Sequence, residues 1–124
     1  MARRAGIVAM ALCAIALTVA ATAFAADVKR GLRVTYETQS EVFDGKLTRV
    51  SGGPGACFTH QKVLLFKRDE GGGHHRIGAD RTNADRAYSI PHRRRPGKYY
   101  AMAPQSERSG DTCLAVKTKT LTIR

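Results

Sequence analysis

Two cysteines and three histidines could do chemistry if the fold brought them together. Cys57 and His60 have a Cys-x-x-His spacing, which could place a thiolate beside an imidazole or supply two zinc ligands. Cys113 and a histidine from His74-His75 would complete a set of four ligands. The simpler interpretation is a Cys57–Cys113 disulfide, because an even cysteine pair in an oxidising compartment usually forms one. We predict the disulfide, which leaves no metal site.

The densest cluster of charge is the segment 92–98, which reads His-Arg-Arg-Arg-Pro-Gly-Lys. Four permanent cations in one loop could bind phosphate, sulfate or carboxylate groups through charge-assisted hydrogen bonds. The alternative is a solvated basic loop without a ligand. Arginines on the preceding strand and turn could extend the patch, and tyrosines nearby could stack on a base or sugar or belong to the core. The candidate anion-binding residues are Arg93, Arg94, Arg95 and Lys98, the flanking arginines are Arg76, Arg81 and Arg86, and the tyrosines are Tyr88, Tyr99 and Tyr100.

Acid–base or nucleophilic catalysis finds no support in the sequence. The acidic residues mostly fall in apparent turns, and none can be paired with a second carboxylate or a histidine, as such catalysis requires. The triple glycine Gly71–Gly73 lacks the Lys-Ser/Thr of a phosphate-binding loop, and no nucleophile elbow occurs. We predict a protein that is not an enzyme and needs no cofactor.

The N-terminal segment predicts export. Arg3 and Arg4 precede an apolar run from Ile7 to Ala21, and Ala23-Phe24-Ala25 gives a small-x-small cleavage pattern. A membrane anchor is the alternative, but the run is short for a spanning helix of about 20 residues. We predict that residues 1–25 are a signal peptide that is removed, and that the protein is secreted or periplasmic.

The predicted mature chain, residues 26–124, is long enough for one domain. Cys13 is lost with the signal peptide, so Cys57 and Cys113 remain as a pair. The mature chain keeps 19 basic and 10 acidic residues, a net charge of +9. Such a charge favours anionic partners, although many exported proteins are basic without binding anything acidic.

Short alternating segments predict strands along the mature chain. Residues 32–36 alternate apolar and polar, a second run from Val42 to Val50 is interrupted near Asp44-Gly45 by a turn or bulge, and 63–66 is apolar on both faces, like a central strand. The segments 77–81 and 87–90 flank a polar turn and predict a hairpin. The last run, 113–123, changes phase near 117–119, which a bulge or a switch between sheets would explain. We predict an all-β fold, a single Greek-key-type β-sandwich of about seven strands, preceded by the cleaved helical signal peptide.

The segment Thr82–Ile90, followed by Gly97-Lys98-Tyr99-Tyr100-Ala101, resembles the carboxypeptidase-regulatory-like, or transthyretin-like, β-sandwich. The resemblance covers most of residues 30–124 and implies a secreted sandwich. Where the family usually has glycine in the turn, this chain has Arg86, so either the turn type differs or Asp85 takes the left-handed conformation. Transthyretin-like hydrolases of 5-hydroxyisourate end in Tyr-Arg-Gly-Ser, whereas this chain ends in Thr-Ile-Arg, so that activity is not implied.

Together these features predict a non-enzymatic, exported binding or structural module. Its loops at 52–55, 71–75 and 93–98 would recognise another envelope or extracellular protein. The alternative is electrostatic docking on an anionic envelope polymer or lipid, and a small hydrolase or metalloprotein is the third possibility. We predict no specific nucleic-acid partner and no transmembrane segment after signal removal.

Overall fold

Alternation of buried and exposed residues runs through the part of the chain that the computed structural model describes, residues 26–53 and 55–124. The predicted signal peptide, 1–25, lies outside these residues. The described chain is all-β, as predicted, and its only helical segment is the single 3₁₀ turn Gly55–Cys57.

The smaller of the two main sheets, called the small sheet below, has its longest strand at the centre. β4 pairs with β2 and β3 on one side and with β7 on the other, always antiparallel. The strands are β2 (Arg30–Leu32), β3 (Thr35–Glu37), β4 (Val42–Arg49) and β7 (Ala87–Pro91).

The larger sheet is built around β5 and β8. β6 pairs with β5, β5 with β8, and β8 with both β11 and β12 on its other side. Since β5 and β6 are neighbours, β7 lies in the other sheet and β8 returns to β5, the order is of the Greek-key type. The strands are β5 (Lys62–Arg68), β6 (His74–Arg81), β8 (Gly97–Ala103), β11 (Val116–Lys117) and β12 (Leu121–Ile123).

The prediction of about seven strands agrees with these sheets, because two edge strands are each divided in two. β2 and β3 pair with the same side of β4 and are separated at Arg33–Val34, where the Arg33 carbonyl accepts the Tyr88 hydroxyl instead. β11 and β12 pair with the same side of β8, and buried Thr118 bridges the gap by bonding to the backbone of Ala101. The phase change near 117–119 is therefore an interruption within one sheet and not a switch between sheets.

A third sheet, of only three strands, lies beside the disulfide. Cys57 and Cys113 are joined in the predicted bond, and both are fully buried with Val28, Leu47 and Phe58. The strands are β1 (Asp27–Val28), β9 (Ser106–Arg108) and β10 (Asp111–Cys113), in the order β1-β10-β9.

The main core lies between the two larger sheets. Inward-facing side chains alternate along each strand, as expected for a sandwich. Those of the small sheet are Phe43, Tyr88 and Ile90, and those of the large sheet are Val63, Leu65, Tyr99, Ala101 and Ile123.

The predicted hairpin between 77–81 and 87–90 is wrong. The turn exists, with Asn83 Oδ1 accepting the N–H groups of Asp85 and Ala87, but β6 and β7 belong to different sheets. Buried Thr82 redirects the chain, since its hydroxyl donates to the Phe58 carbonyl. Asn/Asp turn chemistry indicates a change of direction and does not show which strand lies next.

The residue that takes the left-handed conformation in this turn is Arg86 itself, with a φ of 65°. The alternatives predicted for this turn were a different turn type or a left-handed Asp85, and neither named Arg86 as the left-handed residue. Its guanidinium lies 5.1 Å from the centre of the buried Phe58 ring, a cation–π contact that offsets part of the backbone strain.

The predicted interruption of β4 at Asp44-Gly45 is also wrong, because β4 runs without a break from Val42 to Arg49. The glycine serves close approach: a Cβ at Gly45 would collide with the carbonyl of Arg33. Glycine inside a strand pattern thus marks the place where the divided edge strand crosses close to β4.

Candidate functional site

The cysteines and histidines that could have formed a metal site are used separately. The disulfide consumes both thiols, while His60 is exposed at the turn before β5. His74 Nδ1 lies 2.6 Å from the Tyr100 hydroxyl, and His75 Nδ1 lies 3.0 Å from Asp69 Oδ1. Within residues 26–53 and 55–124, no cluster of three such side chains could hold a metal ion.

The four predicted anion-binding residues are divided between two surfaces. Arg93, Arg94 and Arg95 are exposed in the loop between β7 and β8. Arg94 donates to the main-chain carbonyl of Arg124 at 2.6 Å. Lys98 lies on β8, opposite Arg68 of β5, so it belongs to the face of the large sheet.

His92, at the start of this basic loop, packs into the end of the core. Its ring lies 6.0 Å from those of Phe43 and Tyr99, and its buried Nε2 has no hydrogen-bond partner among the described residues. Burial lowers the pKa of His92 below its usual 6.5, and the nearby charges of Arg95 and Lys67 lower it further. Protonation of this imidazole therefore opposes folding.

This environment predicts a loss of stability in mild acid. Because the pKa of His92 is depressed in the folded state, its contribution to the free energy of unfolding is complete above the unfolded pKa. That contribution is lost as the pH falls through the unfolded value towards the folded pKa. We expect His92→Phe, which keeps the ring packing, to flatten the decline in unfolding free energy below about pH 6.5. Urea titrations at several pH values measure it; equal slopes in parent and variant would contradict the expectation.

One face of the large sheet carries a cluster of basic side chains, and we call it the cationic face. Strand pairing places side chains on the same side of a sheet when they are directly opposite. Since Val63, Leu65, Tyr99 and Ala101 face the core, the alternating residues of the same strands face outward. The outward cations, all exposed, are Lys62, Arg68, Arg76, Arg81, Lys98 and Lys117, and they are joined by His74.

A layer of apolar side chains lies beneath these cations. Phe66 and Tyr100 are stacked with ring centres 5.2 Å apart, and Leu64 lies on the same face. Tyr100 is only 7% exposed, because long basic side chains cover it with their aliphatic stems. The apolar side chains of this face are therefore covered, and its charges lie at the surface.

Tyr100 brings two of the cations close together. Lys117 Nζ lies 5.3 Å from the centre of its ring, and the Arg68 guanidinium carbon lies 5.9 Å from it. Within the described chain the only side-chain ion pair joins His75 and Asp69. The cations of the cationic face thus have no carboxylate partner there, and no acidic side chain occupies an outward strand position of this face.

Half of the cations of this face were not predicted from the sequence. Arg76, Arg81 and Lys98 were among the predicted candidates, whereas Lys62, Arg68 and Lys117 were not. Lys62 and Arg68 lie on β5 and Lys117 lies on β11, all distant in sequence from the basic loop, so no local cluster marks them. The available signal was weaker: Lys62 and Arg68 of β5 are an even number of positions apart, which places both on one face of a strand.

Comparison with protein-family models, with curated proteins and with solved structures finds no match to this chain. The transthyretin-like resemblance therefore stays a prediction. Along the described residues, no helix is both long and apolar enough to cross a membrane. The disulfide is compatible with export.

Proposed function

We propose that this protein is an exported, non-enzymatic module that binds an anionic polysaccharide on the cationic face. The observation that supports it is the set of six exposed cations on one sheet face, where no outward position of the described strands is acidic. This proposal favours the electrostatic alternative over recognition of a protein by the loops.

The spacing of the charges suits a polymer. Alternate residues on a strand lie about 7 Å apart and neighbouring strands about 5 Å apart, so the six cations extend over four strands. A small anion would contact one or two of them, and an exposed contact of this kind contributes less than about 1 kcal/mol. A polymer with repeated carboxylate, phosphate or sulfate groups adds such contacts along its length.

The side chains of the cationic face argue against three other partners: a single-stranded nucleic acid, a membrane and a protein. Single-stranded nucleic acids stack their bases on exposed aromatic rings, whereas Tyr100 is buried. Surfaces that insert into a membrane present protruding apolar residues, and the only exposed large hydrophobic residue in the described chain is Val50, on the small-sheet side. The centres of protein–protein interfaces are depleted of charge, which the cationic face is not.

Binding of the mature chain to polygalacturonate, with neutral dextran as a second ligand, tests the proposal. We expect Arg68→Gln/Lys117→Gln to weaken polygalacturonate binding about tenfold at about 50 mM salt, because two adjacent cation–carboxylate contacts are lost. The matched variant Arg33→Gln/Lys46→Gln removes the same charge from the small sheet, and we expect it to bind almost like the parent. Isothermal titration calorimetry measures both.

Three results would overturn the proposal. Equal weakening in the two variants would show that net charge alone drives binding. Binding to phosphatidylglycerol vesicles but not to the polysaccharide would assign the face to a membrane. Binding to dextran as strong as to polygalacturonate would remove the role of the anions.

A further inference from the structure

Strand β6 forms an edge of the large sheet and is paired on one side only. It runs for eight residues, His74–Arg81, and among the described strands it pairs with β5 alone. Five of its eight residues are exposed, and Ile77 packs against the core. An unpaired edge of this length presents a row of free backbone N–H and C=O groups to a further strand.

The other edges of the two main sheets are less able to accept a strand. The β2/β3 edge is divided at Arg33–Val34, and the β11/β12 edge is divided at 118–120. On the β7 edge, the Ser89 N–H donates to the Asp80 carboxylate at 2.8 Å, and the strand ends at Pro91. β6 alone offers a continuous run of eight residues.

The side chains of β6 define what could lie beside it. On the outward side it carries His74, Arg76 and Arg81, with no acidic residue. On the inward side it carries His75, Ile77, Gly78 and Asp80, and the Asp80 carboxylate is already bonded to the Ser89 N–H of β7. Since residues of a strand point alternately to two faces, a paired strand would place acidic residues opposite the cations and small apolar residues opposite Ile77 and Gly78.

We propose that β6 binds, by strand addition, an extended peptide segment in which acidic residues alternate with small apolar ones. The added strand supplies backbone hydrogen bonds for affinity and carboxylates for selection. A second copy of this chain fits poorly, because two β6 strands would bring like charges into opposition.

Backbone methylation of a probe peptide separates strand pairing from simple charge attraction. The probe is a fluorescein-labelled peptide of about ten residues that alternates Glu and Val, a length within the usual range of strands. Two further peptides carry N-methyl groups on either the odd or the even residues, with the same charge. Only one set of N–H groups faces β6, so we expect one methylated peptide to lose at least about tenfold in affinity and the other to bind much better.

Amide hydrogen exchange and charge reversal locate the contact. We expect the probe to slow exchange at alternate residues of β6 and not along β7 or β12. Arg76→Glu should weaken the Glu-Val peptide and strengthen a Lys-Val peptide. The variant Arg68→Gln/Lys117→Gln, which changes β5 and β11 and leaves β6 intact, should keep peptide binding while it weakens polysaccharide binding, so each proposal can fail without the other.

The inference would be overturned if both methylated peptides bound alike, if the protected amides lay on another edge, or if none of the probes bound. Sedimentation that showed a dimer whose β6 amides are protected without any peptide would assign this edge to a second copy instead.

Discussion

An Arg30→Met variant is expected to lose about 3–5 kcal/mol of unfolding free energy, because it removes a buried cation whose hydrogen bonds are all made. Arg30 begins β2 and is only 5% exposed. A guanidinium has five N–H donors, and here each one has an acceptor. These are the Leu114 carbonyl, accepting from both Nε and Nη2, the Cys57 carbonyl, the Gln61 Oε1 and the Pro104 carbonyl.

The contacts of Arg30 explain why no carboxylate is needed beside it. Carbonyl dipoles from three separate loops surround the charge. Burial, followed by the charge of Arg108, lowers the pKa of Arg30 below its usual value, and an arginine stays protonated in proteins. The bonded carbonyls belong to Cys57 and to Leu114, the neighbour of Cys113. Arg30 therefore ties the edge of the small sheet to the loops on both sides of the disulfide, and a methionine would leave those carbonyls without a donor.

Urea denaturation of the mature chain measures the loss. Arg30→Lys keeps the charge with fewer donors and should fall between Arg30→Met and the parent. Arg33→Met, at an exposed position three residues later, is the control and should change the unfolding free energy by less than about 0.5 kcal/mol. If Arg30→Met does not fold, Arg30→Lys carries the test; a loss below about 1 kcal/mol in both variants would contradict the expectation.

The sequence predicted those features that depend on local pattern or on counting. The apolar run 63–66 correctly indicated a central strand, β5, and the remaining cysteine pair correctly indicated the disulfide. The predicted hairpin failed because turn composition does not determine which sheet the next strand joins. That choice depends on the buried hydroxyl of Thr82, which bonds to a carbonyl distant in sequence.

The sites were harder to predict for a related physical reason. Arginine is usually a surface residue, and Arg30 can be buried only because three loops bring carbonyl groups to its guanidinium. The cationic face depends on strand register, since one residue of slip would send Arg68 and Lys98 to the core side. Neither the meeting of the loops nor the strand register can be read from neighbouring residues. The arginines at 93–95 were predicted instead because they are adjacent in the sequence.

Removal of the disulfide by Cys57→Ala/Cys113→Ala is expected to lower the unfolding free energy by about 4 kcal/mol, from the loop of 56 residues that the bond closes. Both cysteines are fully buried, so the cross-link also fixes the second core cluster around Phe58. Urea denaturation with and without dithiothreitol measures the effect. The parent should lose stability in the reductant, whereas the double variant should not respond to it.

The disulfide and Arg30 should not act independently. Arg30 Nη1 lies 3.1 Å from the Cys57 carbonyl, and residues in direct contact usually couple by about 0.5 kcal/mol or more. Once the cross-link is gone, the loop at Cys57 can move away from the guanidinium, so less remains for an Arg30 substitution to remove. A cycle that combines Arg30→Lys with the double cysteine variant should therefore show a combined loss smaller than the sum. Additivity within about 0.3 kcal/mol would mean that the disulfide does not position the carbonyls that bind Arg30.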